Sequence, residues 1–135
     1  MGLPVLIVDD DRVLCGILAR QLAVLGYEPS KAENGDEAVE LARHRAYAAI
    51  FIDFEMPNEN GVQVMQRLET LQPNATMVMT SGWNQPTVID ALAGANLHRC
   101  RVLAKPWALE QVIAILNDAA ASYAADELSP AVQQA

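Results

Sequence analysis

The chain has 135 residues and a net charge of -8, from nine Lys and Arg against seventeen Asp and Glu. That length suits one domain with a core of its own, and 52% hydrophobic residues exclude a disordered chain. Scattered basic residues in an acidic chain argue against a nucleic-acid binder, which needs clustered Lys and Arg to neutralise phosphates.

Val5-Leu6-Ile7-Val8 is an unbroken apolar run that stops at Asp9-Asp10-Asp11, as expected of a strand covered on both faces. Apolar residues then recur at Val13, Leu14, Ile17, Leu18, Leu22 and Leu25 with helical spacing. Asp11 is placed to cap that helix and Gly26 to end it. A weak strand over residues 28–32 precedes the turn Asn34-Gly35, and a second helix turns Ala38, Val39, Leu41 and Ala42 inward. Residues 48–52 form another buried strand, again ending on an acid, Asp53. The loop after it carries Pro57 and Gly61, both breakers. A third helix presents Val62, Val64, Met65 and Leu68 and stops before Pro73. Residues 76–79 form the fourth strand, closed by Thr80-Ser81-Gly82. A helix from about Gln85 carries Val88, Ile89, Leu92 and Ala93, and residues 101–104 form a fifth strand ending at Lys105-Pro106. The last helix presents Leu109, Val112, Ile113 and Leu116 and runs to about Tyr123; residues 124–135 read as a frayed tail or the start of a linker.

Cys15 and Cys100 are too few for a disulfide scaffold, and their apolar neighbours predict buried, inert thiols. Met1-Gly2-Leu3-Pro4 lacks the basic region of a secretory signal, and no apolar run approaches the roughly 20 residues that span a bilayer. A cytoplasmic location without membrane contact is the expectation.

Five strands alternating with five helices imply a parallel sheet with helices on both faces, because parallel crossovers need helix-length connections. Ligands of such sheets sit at the carboxyl ends of the strands. There stand the acids after the first strand, Asp53 after the third, Thr80 after the fourth and Lys105 after the fifth. Several carboxylates in one small cleft need a cation or a proton to relieve their repulsion. Hard oxygen ligands suit Mg2+, and no His or Cys stands at these strand ends to favour a softer metal. Lys105 and the Thr80 hydroxyl suit the oxygens of a transferring phosphoryl group, and an Asp carboxylate is itself a nucleophile. Together they describe a site for phosphoryl transfer.

In these residues the chain resembles the receiver domain of bacterial two-component response regulators. The matching pieces are Val8-Asp9-Asp10, Asp53-Phe54-Glu55-Met56-Pro57 with Gly61, Thr80-Ser81-Gly82 and Lys105-Pro106, in that order; residues 32–38 and Gly94-Ala95 are lesser matches. The resemblance implies a single doubly wound (βα)5, flavodoxin-like domain over residues 3–123. It implies that Asp53 accepts a phosphoryl group from a sensor histidine kinase or a phosphotransfer protein. Asp10 and Asp53 would ligate Mg2+ with the backbone carbonyl of Glu55, and Asp9 would act through a metal-bound water. Thr80 and Lys105 would grip the phosphoryl oxygens, with the Lys105-Pro106 bond cis. The chain would be a phosphoacceptor that assists its own phosphorylation and dephosphorylation, not an enzyme with turnover on a separate substrate. Its signal would pass to a downstream effector protein, or to an output domain beyond this chain, with a homodimer compatible with either.

Two departures from the family pattern stand out. Val102 occupies the fifth-strand position, three before the lysine, where receivers usually carry an aromatic, and residues 94–105 are longer than the common spacing. Trp107 also replaces a usually smaller aromatic. Two other readings compete: a phosphorylation-independent pseudo-receiver used for dimerisation or scaffolding, and a phosphatase in which Glu55 is the second acid. The first is disfavoured by the intact Asp9, Asp10, Asp53, Thr80 and Lys105, the second by the short chain, which leaves no cap over a substrate. His44 and His98 read as surface residues, Arg99 and Arg101 with His98 as a solvated basic spot, and Met56, Met65, Met77 and Met79 as packing. Trp83, just after the Thr80 turn, reads as an exposed aromatic at an interface.

Overall fold

Strands without polar alternation are stable only where both faces are covered, and the topology supplies the cover. The computed structural model describes residues 2–82, 85–97 and 100–127. In chain order the elements are β1 (Pro4–Val8), α1 (Arg12–Val24), β2 (Glu28–Ala32), α2 (Gly35–His44) and β3 (Ala49–Asp53). They continue with α3 (Gly61–Glu69), β4 (Thr76–Ser81), α4 (Gln85–Gly94), β5 (Arg101–Ala104) and α5 (Leu109–Glu127). The strands form one sheet in the order β2-β1-β3-β4-β5, all parallel. The chain winds to one edge through β2, then returns past β1 to build the other side. That reversal opens a crevice at the carboxyl ends of β1 and β3.

Side chains alternate across the sheet, which divides the core in two. Leu6, Val8, Ile50, Ile52, Met77 and Met79 face one way, against Ala38, Val39, Val64, Leu68, Val88 and Leu92 of α2, α3 and α4. Val5, Ile7, Ala49, Phe51, Val78 and Leu103 face the other, against Cys15, Leu18, Leu22, Val112 and Leu116 of α1 and α5. The predicted two-sided burial is met at β1 and β3, buried throughout, and at all of β4 but its first residue, whereas the edge strands β2 and β5 bury one residue each.

The ends of α1 follow the predicted signals. Asp11 caps α1 by accepting from the backbone N–H groups of Val13 and Leu14 at 3.1 Å, and Gly26 leaves the helix at φ +95. Asn34 caps α2, and Asn60 forms a reciprocal capping box with Gln63 at α3. At the end of α4, Asn96 adopts φ 61 while Leu97 N–H donates to Leu92 O at 2.9 Å. An asparagine thus does the work that a glycine usually does at a left-handed helix stop.

Three expectations about packing change. α1 turns Cys15, Leu18, Ala19 and Leu22 to the sheet, leaving Val13 (73%), Ile17 (49%) and Leu25 (45%) exposed. The helix is apolar on two stripes, and the i, i+3, i+4, i+7 set with the smaller residues lies against the strands. On α4, Val88 and Leu92 are buried while Ile89 is half exposed. Cys15 is buried as expected, but Cys100 is only half-buried. Burial nonetheless pushes both thiols up, to about 11 and about 12, so neither is a ready nucleophile. α5 continues beyond the expected Tyr123 to Glu127. Trp83, His98, Arg99 and residues 128–135, for which the sequence suggested an interface, a basic spot and a tail, lie outside the described residues.

Candidate functional site

The strand ends bring the predicted residues to one place. β1 runs straight into Asp9, β3 ends on Asp53, and in the β3–β4 register Asp53 lies beside Thr80. β5 delivers Lys105 through the backbone bond Lys105 N–H to Ser81 O, 2.7 Å. The Lys105 ammonium stands 3.3 Å from Asp9 Oδ2 and 3.3 Å from Asp53 Oδ1, bridging two carboxylates from different strands. Asp9 and Asp53 are both about 4% exposed, whereas Asp10 is open to solvent. The Lys105-Pro106 peptide is cis.

The loop after β3 is folded tightly against the site. Gly61 N–H donates to Phe54 O at 3.0 Å, and Phe54 N–H to Thr80 O at 2.8 Å. A β-carbon at Gly61 would fall 2.6 Å from the Asp53 carbonyl oxygen and 2.5 Å from the Met79 sulfur. Only glycine allows that approach, which explains why the predicted loop breaker stands there.

Electrostatics set the state of the pocket. Burial first, then the neighbouring Asp9 charge, push the Asp53 carboxyl from its ordinary 3.8 up to about 7; Lys105 pulls it back and the Glu55 side chain adds to the rise. For Lys105, burial favours the neutral amine, but Asp53 and Asp9 outweigh it and its affinity for the proton rises. The pocket therefore holds one firm cation and an excess of carboxylate. One oxygen each from Asp9, Asp10 and Asp53 can gather within 4.8 Å. An all-oxygen, all-carboxylate donor set with one member open to water fits Mg2+, which keeps several waters of its own.

Two hydroxyls lie at the end of β4. Thr80 is buried and its hydroxyl donates to Ile52 O over a long 3.5 Å. Ser81 Oγ donates to Glu55 Oε1 at 2.6 Å, while Glu55 N–H donates to Asp53 Oδ1 at 3.2 Å. Sequence reasoning picks out Thr80, gives Ser81 no role of its own, and gives the Glu55 side chain a part only in the disfavoured phosphatase reading. The available signal was a second hydroxyl beside Thr80 and a carboxylate two residues after Asp53.

The family of the response regulator receiver domain matches residues 5–117. This chain belongs to that family. The receiver is 30% identical over 114 residues to the response regulator MprA of Mycobacterium sp. (strain KMS), covering 84% of this chain and 49% of that protein. It is 28% identical over 115 residues to the DNA-binding transcriptional regulator NtrC of Azospirillum brasilense, covering 85% of this chain and 24% of that protein. The receiver thus spans half or less of the length of these curated relatives. Among solved structures, a response regulator from Burkholderia pseudomallei with a phosphorylated aspartic acid, calcium ion and citrate superposes with a TM-score of 0.78 at 30% identity. That match covers 94% of this chain and 74% of the other. Family and fold agree with the doubly wound five-stranded sheet expected from the strand pattern. Among the described residues, no helix of the receiver is long and apolar enough to cross a membrane.

Proposed function

We propose that this receiver takes a phosphoryl group onto Asp53 in a Mg2+-dependent reaction and passes the change to a partner protein. The observation that carries the reading is the convergence of Asp9, Asp10 and Asp53 with Lys105 held 3.3 Å from two of the three. In the forward step an Asp53 oxygen forms a bond to phosphorus as the phosphorus–nitrogen bond to the donor imidazole breaks. The imidazole leaves with the electron pair. Asp53 must be ionised to attack, and with its carboxyl raised to about 7 it relies on neighbouring positive charge to become so near neutrality. Lys105 supplies one such charge. Asp10, Asp53 and the Glu55 carbonyl would hold Mg2+, with Asp9 acting through a bound water; the ion would neutralise charge on the transferring oxygens. The Thr80 hydroxyl would leave the Ile52 carbonyl to bond a phosphoryl oxygen. The Burkholderia protein, with its phosphorylated aspartic acid and divalent ion, supports this reading.

For the donor we propose a histidine kinase or phosphotransfer protein acting in the cytoplasm. Beside Lys105, an apolar cleft of about 390 Å³ is lined by Leu14, Ile17, Pro106, Trp107 and Leu109. With the exposed Val13 it offers an apolar surface next to the acceptor, where a protein donor gains more contact than a small molecule. The larger relatives support an effector or output domain as the recipient of the signal, and we take residues 3–123, around the family match over 5–117, as the receiver unit. The test is incubation with a small phosphodonor followed by intact mass. One added phosphoryl group is expected with Mg2+ and none with excess chelator; equal uptake in both would contradict the proposal.

A further inference from the structure

The phosphoacceptor and the end of β4 are joined by a hydrogen bond that the proposed chemistry does not use. Glu55 follows Asp53 by two residues, with its N–H on Asp53 Oδ1 at 3.2 Å and its carboxylate on Ser81 Oγ at 2.6 Å. Among the described residues, Glu55 forms no ion pair with a Lys or Arg. Its carboxylate is therefore held by the neutral Ser81 hydroxyl and by the Asp53 carboxyl itself, with no cation to fix it. Ser81 is fully buried and is also the residue whose carbonyl accepts from Lys105 N–H at 2.7 Å. It is the last residue of β4, immediately before Gly82 and the approach to α4. Val102, on the neighbouring β5, is only half-buried and carries no ring that could swing into the core behind Thr80.

We infer that Glu55 is a positioning residue that transmits the charge on Asp53 to the β4–α4 junction through its hydrogen bond with Ser81. The inference rests on the reading of Asp53 as phosphoacceptor. A phosphoryl group on Asp53 adds about one unit of negative charge next to Glu55. A carboxylate fixed by a cation would resist that repulsion; one fixed by a hydroxyl yields. Glu55 moves away, the Ser81 hydroxyl gives up its bond to that carboxylate, and Ser81 and Gly82 at the end of β4 take a second arrangement that α4 registers. The two states differ in a defined contact, as any switch requires. The device needs no aromatic on β5, which accounts for how a chain with Val102 can still report its phosphorylation.

Glu55→Gln keeps the length, the backbone carbonyl and an acceptor for Ser81 but removes the charge. Ser81→Ala removes the donor. The probe is beryllofluoride with Mg2+, followed by the amide resonances of Ser81 (of residue 81 in the alanine variant), Gly82 and Val88 on the full chain. The fluorine signal of the bound species shows saturation in each variant. In the wild type these amides are expected to shift on saturation. In Glu55→Gln the shift should be smaller by about threefold or more, because the uncharged side chain is not driven from Ser81. In Ser81→Ala the Gly82 and Val88 amides should already be displaced toward the wild-type bound positions before the probe is added. Full wild-type shifts in saturated Glu55→Gln, or unmoved resting amides in Ser81→Ala, would overturn the inference while leaving Asp53 as acceptor. No bound fluorine signal in the wild type would remove the acceptor reading itself, and this inference with it.

Discussion

Without a divalent cation, this protein is expected to lose stability as pH rises from about 4 to about 7, in the opposite sense to acid denaturation. Asp53 has an ordinary value of 3.8 and a folded value of about 7. Between those limits the folded chain holds a proton that the unfolded chain has released, so each step up in pH favours unfolding. Even a part of that difference in free energy, discounted for the solvent that reaches the site, is a noticeable share of the roughly 5–15 kcal/mol that holds a domain together. Asp9, Asp10 and Lys105 face Asp53 from the ends of β1 and β5, Glu55 and the Thr80 hydroxyl from the loop and β4. Asp53→Asn removes the titrating group while keeping the shape. In chelator, urea midpoints across about pH 4 to 8 should fall for the wild type relative to Asp53→Asn, and Mg2+ should restore the wild type near neutrality. Parallel curves for the two proteins would contradict the electrostatic account.

Lys105→Met is expected to slow phosphorylation of Asp53 about 100-fold or more, the usual scale for losing one preorganised charge at a transferring group. The lysine reaches both Asp9 and Asp53 at 3.3 Å, so no other group among the described residues takes over its position. The same substitution should tighten Mg2+ binding, because it removes a cation that competes for the two carboxylates. Those opposite signs distinguish loss of a catalytic charge from general damage to the pocket. Rates of mass gain from a small phosphodonor at saturating Mg2+, beside Mg2+ titrations, separate the two. A rate within about threefold of wild type would remove Lys105 from the transfer step.

Much of this was legible because buried parallel strands carry an unambiguous pattern. Val5–Val8 and the run ending at Asp53 have no polar alternation, so each must be covered twice, and the acid at the end of each marks the crevice. Gly61 was legible as a breaker, but not as the residue that admits the Asp53 backbone. The phase of α1 was not legible: its two apolar stripes satisfy the same period, and only the fit of Cys15 and Ala19 against the sheet chooses between them. Asn96 is not legible as a helix stop because its role depends on one backbone angle. The Glu55–Ser81 bond joins residues 26 apart, and no local pattern records a contact between the loop after one strand and the end of the next. What chemistry converged was legible; how its members are tied together was not.

The central claim is that Asp53 itself receives the phosphoryl group. The most direct measurement is to phosphorylate the full chain with a small phosphodonor and Mg2+, reduce the acyl phosphate with borohydride, and map the product by peptide mass spectrometry. The account predicts reductive conversion at Asp53 alone, with Asp9, Asp10 and Glu55 unmodified and no conversion in Asp53→Asn. Conversion at another carboxylate, or phosphoryl uptake that survives Asp53→Asn, would contradict it.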